Sequence, residues 1–129
     1  MGKLKQAVAV DYINSNNLAG IKAGAERPSF LEIWMVVVDG RIFARSWGFA
    51  EKSWYNTFLK ASKGEIKCGE VVLDITAKIP QDLEVLNAKI NQAYLDKYNS
   101  GDNAKYAIGI TQQEHIDKTM EFVVIEDFF

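Results

Sequence analysis

FLEIWMVVVDGRIFARSW, residues 30–47, decides how the rest of the chain is read. Two apolar runs flank Asp39-Gly40, and a two-residue Asp-Gly link between β-patterned runs is the strongest short-range hairpin signal, because a type I′ turn needs positive φ at both positions. The turn predicts a register in which Val38 faces Arg41, Val36 faces Phe43, Trp34 faces Arg45 and Glu32 faces Trp47. Side chains alternate across a sheet, so the two faces separate. One carries Leu31, Ile33, Met35, Val37, Ile42, Ala44 and Ser46 and is nearly all apolar. The other carries Phe30, Glu32, Trp34, Val36, Val38, Arg41, Phe43, Arg45 and Trp47. Large aromatics mixed with charge predict a ligand or subunit surface rather than a core.

Outward from the hairpin, the pattern predicts one domain over residues 1–129. A chain of 129 residues with 48% hydrophobic and 25% charged residues buries a core without staples. A net charge of −2 and an isoelectric point near 5.4 argue against a nucleic-acid binder. The single cysteine, Cys68, allows no internal disulfide and fits a reducing compartment. The lysine-containing start MGKLKQAVAVDY lacks a signal-peptide pattern and no apolar run is long enough to span a bilayer. A cytoplasmic protein with no membrane partner is expected.

The N-terminal segment 1–19 is read as helical, its helix over 3–16, followed by a short strand near 20–24 and a loop through Pro28. After the hairpin, Ser53 is an N-cap for a helix over 54–62, with Gly64 as its left-handed stop. Strands are expected at 65–68 and 70–79, broken near Gly69. Pro80 opens the longest helix, 81–98, with Leu83, Leu86, Ile90, Ala93, Tyr94 and Lys97 on its buried stripe. Residues 104–110 read as strand or short helix, 112–117 as helix or loop, and 119–126 as a final strand. Five or six antiparallel strands with two or three helices are expected to close into a small barrel, since open apolar edges are a liability.

The candidate chemistry sits at the end of the hairpin. Arg45, Ser46, Trp47, Gly48 and Lys52 are close in sequence, and Arg27 and Ser29 precede the first strand. Antiparallel pairing is expected to bring 27–32 beside 45–48. Arginine offers a planar fork to phosphate oxygens, serine a hydroxyl, and glycine an open backbone amide. Trp34, Trp47 and Trp54 are candidate walls for a fused ring, so the set suits a flavin. The plain alternatives are a cross-strand Arg45–Glu32 pair and tryptophans used only for packing. Cys68 and His115 read as a buried thiol and a surface imidazole. No two-histidine spacing marks a metal site and no glycine-rich phosphate loop is present.

The residues Trp34, Val36, Val38, Asp39, Gly40, Phe43, Arg45 and Ser46, with Ala93, Tyr94, Lys97 and Tyr98 of an AY-x-x-KY element, resemble a family of small bacterial proteins. That family lies in the FMN-binding split-barrel superfamily, which has pyridoxamine phosphate oxidase-like folds. A more distant similarity is to the deazaflavin-dependent nitroreductases, through Ser46, Gly48 and Trp54-Tyr55-Asn56. Phe30 stands where those proteins have glycine, and Trp47 where they have lysine. The resemblance implies an α+β fold with a six-stranded antiparallel split β-barrel, two or three peripheral helices, and a homodimer with any flavin at the subunit interface.

Three expectations follow. The first is an FMN-dependent oxidoreductase, with Arg27, Ser29, Arg45, Ser46, Gly48 and Lys52 at the phosphate, Trp34, Trp47 and Trp54 at the ring, and Tyr55 orienting substrate. The flavin itself carries the hydride in such enzymes. The second is a split-barrel dimer holding a deazaflavin or haem, or no ligand, with His115 the lone imidazole for a haem. The third is an interaction protein whose tail, Glu126 to Phe129, docks on a partner.

Overall fold

A computed structural model describes residues 4–24, 29–46, 53–98 and 101–126. Helix α1 (Lys5–Ser15) leads into β1 (Ala19–Ala23), β2 (Leu31–Ile33), β3 (Val36–Val38) and β4 (Arg41–Arg45). Then come α2 (Trp54–Lys60), β5 (Lys63–Cys68), β6 (Val71–Lys78) and α3 (Leu83–Tyr98). A 3₁₀ turn (Gly101–Asn103), α4 (Ala104–Ile110), α5 (Gln113–Ile116) and β7 (Thr119–Val124) complete the order. The result is an α+β fold with a seven-stranded antiparallel sheet and five α-helices among the described residues, more than the six strands and two or three helices expected.

The strand order is β2-β1-β5-β6-β7-β4-β3. Its two edge strands, β2 and β3, are separated in sequence by only Trp34 and Met35. Two residues reach roughly 7 Å when extended, so the sheet has to curl until its edges approach, and it forms a curled half-barrel.

The Asp-Gly turn forms as expected, with Asp39 at φ 54° and Gly40 at φ 76°, and Val38 pairs with Arg41 and Val36 with Phe43. The predicted hairpin then stops short. The β3–β4 ladder ends at Val36–Phe43, short of the expected Trp34–Arg45 pair, while Glu32 pairs with Gly20 of β1 and Arg45 with Thr119 of β7; Trp47, expected opposite Glu32, lies outside the described residues. Helix α3 accounts for the break. The Met35 carbonyl accepts from Lys97 Nζ (2.7 Å) and lies 3.2 Å from the Tyr98 hydroxyl, while the Trp34 ring stacks on Tyr98 at 4.0 Å. A carbonyl claimed by a helix is lost to a strand ladder.

The apolar face of the hairpin behaves as read except at Leu31, which is 51% exposed. Met35, Ile42 and Ala44 enter the barrel core with Ile21, Ile66, Ile75 and Phe122. The aromatic and charged face does not. Val36, Val38 and Phe43 pack with Leu86, Ile90, Tyr94 and Tyr98 into a second core beneath α3. The part of this face formed by Trp34, Val36, Val38 and Phe43 is therefore covered by the chain's own helix and is not a free subunit surface.

The ends of the barrel are closed by α1 and α2. Glu126 caps α1, its two carboxylate oxygens accepting from the Lys5 and Gln6 backbone amides at 2.8 Å each, where a negative charge also suits the helix dipole. The tail is thus tied back onto its own chain through Glu126; residues 127–129 lie outside the described residues. Ser53 caps α2 as expected. Gly64 is not a helix stop but a β5 residue paired with Ala23 and Ile75. No helix among the described residues is long and apolar enough to cross a membrane.

Candidate functional site

Of the expected site residues, Arg27, Trp47, Gly48 and Lys52 lie outside the described residues. The remaining six fall in four places. Trp54 and Tyr55 plug one end of the barrel, Trp54 against Phe122 (5.7 Å) and Phe58 (6.3 Å), while the Tyr55 hydroxyl donates to the Asp117 carbonyl at 3.3 Å. Both rings are barrel packing. Trp34 is half-buried between Tyr94 and Tyr98.

Arg45 and Ser46 are buried under α3 and α4. Arg45 is 3% exposed. Its backbone N–H donates to the Tyr94 hydroxyl at 2.9 Å, its Nε to Thr119 Oγ1 at 3.1 Å, and its Nη1 to Asn91 Oδ1 and to the Ile110 carbonyl. Burial pulls the guanidinium down from its ordinary range to about 10. The Ser46 carbonyl lies 2.9 Å from His115 Nδ1, and His115 is itself buried, not on the surface. Arg45 therefore faces neither solvent nor a neighbouring subunit, which corrects the sequence expectation.

The AY-x-x-KY element is a clamp. Lys97 Nζ donates to the Ile13 carbonyl (2.6 Å) at the end of α1 and to Met35 O at the strand break, while the Tyr98 hydroxyl reaches the Asn17 carbonyl at 2.6 Å. Burial lowers the Lys97 ammonium to about 8 from 10.5. Between pH 8 and 9 the unfolded chain keeps that proton and the folded chain releases it, so the folded state binds fewer protons and gains stability as pH rises, by about 1 kcal/mol. Cys68, raised by burial from 9.0 to about 11, works the other way by a few tenths of a kcal/mol over the same interval. Urea unfolding at the two pH values is expected to show a net gain for the native chain. In Lys97→Met that gain disappears and reverses; an unchanged gain would remove Lys97 as its cause.

Ser29 opens a different place. A groove of about 800 Å³ runs over the sheet edge, lined by Tyr12, Leu18, Ser29, Phe30, Lys67 and Gly69 together with Ala19, Gly20, Leu31 and Glu32. The register explains it. Gly20 stands between Glu32 of β2 and Lys67 of β5, and Phe30 lies across the glycine; a Cβ on Gly20 would sit 3.1 Å from Phe30 Cβ and 3.0 Å from Lys67 Cβ. Two ammonium groups flank the Phe30 ring, Lys22 at 4.5 Å and Lys67 at 5.8 Å from its centroid. Lys22 also lies 3.9 Å from Glu65, which leaves Lys67 as the cation of the groove wall. Phe30, Lys67, Tyr12 and Gly20 were missed because three separate strands and α1 bring them together. The isolated glycine at position 20 within a strand was the one available signal, since it marks a close approach.

Among the described residues no cluster of His, Cys, Asp and Glu could hold a metal ion. The groove's chemistry is instead an aromatic platform beside a cation and a hydroxyl, with Glu32 the one carboxylate on its wall.

Comparison with known proteins adds the following. A family model described as "Uncharacterized protein conserved in bacteria (DUF2255)" matches residues 9–122. A crystal structure of the conserved hypothetical protein Rv2991 from Mycobacterium tuberculosis is similar over 99% of this chain and 82% of that one, with a TM-score of 0.58 and 15% identity. A likeness at that identity shows the fold alone. No curated protein matches.

Proposed function

The chain belongs to the DUF2255 family of uncharacterized proteins conserved in bacteria, so its chemistry has to be argued from its own groove, and we propose that it binds FMN there as a flavin oxidoreductase of a small molecule. One observation carries the reading: the groove of about 800 Å³ sets the rings of Phe30 and Tyr12 beside Lys67 and Ser29. Ligand pockets run from roughly 300 to 1,000 Å³, so the size suits a flavin mononucleotide. A planar ring stacks on an aromatic face, and a phosphate seeks an ammonium and a hydroxyl. Glu32 repels a phosphate, so the phosphate belongs toward Lys67 and Ser29. The bound flavin supplies hydride transfer; the protein's part is to orient it and to keep its phosphate neutralised.

Titration of FMN into the purified protein, followed by flavin fluorescence, is expected to show saturable quenching. Lys67→Ala is expected to weaken binding about 10- to 100-fold, the loss of one charged hydrogen bond of about 1.5–3 kcal/mol, and Phe30→Ala to weaken it as well. No quenching at tens of micromolar FMN, or equal binding by both variants and the native chain, would overturn the proposal.

A further inference from the structure

We propose a second site, for a small inorganic anion of halide size, buried between α3, α4 and strands β4 and β7 beside the Arg45 guanidinium. The inference rests on an inventory of charge and of hydrogen-bond donors in one closed layer. Arg45 is 3% exposed, yet every acceptor it reaches is neutral: Asn91 Oδ1, Thr119 Oγ1 and the Ile110 carbonyl. None of the ion pairs among the described residues includes Arg45 or Lys97, the two cations held beneath α3.

Among the described residues, Arg45 Nη2 is buried without an acceptor. The Tyr94 hydroxyl is buried too; it takes the Arg45 backbone N–H at 2.9 Å, and among the described residues its own proton has no acceptor. Donors are thus in surplus beside a buried positive charge, and an isolated buried charge is among the most costly things a protein interior can hold. Asn87 Oδ1, also buried and without a donor, sits one turn before Asn91 on α3. It is an acceptor for one hydrogen bond, but it is neutral and leaves the charge unbalanced. A monatomic anion accepts from Nη2 and balances the charge. The layer is closed to solvent at Nη2, which keeps the occupant small and excludes a cofactor phosphate.

The test reads thermal unfolding against rising sodium bromide, with sodium gluconate at matched ionic strength as the bulky control. Anything that binds only the folded state raises its melting temperature in a saturable way. The native chain is expected to gain several degrees in bromide relative to gluconate. Asn91→Asp, which supplies the negative charge from within, is expected to lose that difference while remaining folded, and comparison of the two chains cancels the general salt effect. A crystal grown in bromide is expected to show an anomalous peak in contact with Arg45 Nη2. No bromide-specific shift in the native chain, the same shift in Asn91→Asp, or a crystal with water alone at Nη2 would overturn the site. Arg45→Met removes the cation and is expected to be insensitive to bromide if it folds; the aspartate variant decides the matter if it does not.

Discussion

Gly64→Ala is expected to destabilise the protein by about 3 kcal/mol or more, placing it among the largest single-residue effects in the chain. An added Cβ would lie 2.4 Å from the Lys22 carbonyl oxygen and 2.7 and 2.8 Å from two atoms of the Phe58 ring. Neither neighbour is free to move. Lys22 is backbone in β1, held on both sides of the contact by the Lys22–Glu65 and Ala23–Gly64 pairs. Phe58 is 3% exposed and packs on Trp54 and Phe122 at the barrel end. For a domain of this size the loss corresponds to a fall of about 10–15 °C in melting temperature. Phe58→Ala in the same chain relieves the ring contact only, so the double variant is not expected to recover. Thermal unfolding of the two variants checks both statements, and a Gly64→Ala chain that melts within a degree or two of the native one would refute the close approach.

Arg41→Ala is expected to cost a similar amount, about 3 kcal/mol, because it strands a buried carboxylate. Glu121 is 4% exposed and receives Arg41 Nε at 3.0 Å and Nη2 at 2.9 Å. The same guanidinium forks onto Asp82 just before α3, at 2.8 and 3.0 Å, and holds that carboxyl below its usual range. One side chain of the hairpin therefore joins β7 to the approach of α3. Lys78 Nζ, 3.9 Å from Glu121, is a poor substitute on an exposed stem. Asp82→Asn removes only an exposed arm and is expected to lose little. Arg41→Met combined with Glu121→Leu removes the buried carboxylate together with its partly exposed partner and is expected to regain most of the loss, because no unpaired charge is left inside. Urea unfolding of these variants, at unchanged slope, distinguishes a stranded charge from lost packing; an equally unstable double variant would point to packing.

What the sequence made legible was local. The Asp39-Gly40 turn, the Ser53 cap, the helix after Pro80 and the strand that follows Gly69 each follow from interactions within a few residues, and each is found. What it hid was assembled at long range. Residues 30–38 read as one strand because nothing within them reveals that Lys97 and Tyr98, some sixty positions on, claim the Met35 carbonyl. The Trp34, Phe43 and Arg45 face read as a binding surface because its cover, α3, lies far downstream. An arginine among aromatics looks the same in sequence whether it awaits a ligand or is enclosed. Gly64 read as a helix stop because its adjacency to α2 is visible, whereas the Lys22 carbonyl that requires it belongs to another strand. The groove of Phe30, Lys67 and Tyr12 needs β1 to pair on both sides at once, which no local pattern announces.

The two residues between the edge strands also carry a kinetic consequence. Neighbours in sequence, β2 and β3 take places at opposite margins of the pleated surface, each paired with its own hairpin partner, so the seam between them closes only when the five intervening strands are in line. The β1–β2, β3–β4 and β5–β6 pairs zip cheaply because their loops are short, whereas joining them through the β1–β5, β6–β7 and β4–β7 ladders waits on contacts of long sequence separation. The seam at Trp34 and Met35 is thus the last part of the wall to form. Side chains that tighten it act mainly on how slowly the protein comes apart rather than on how fast it folds.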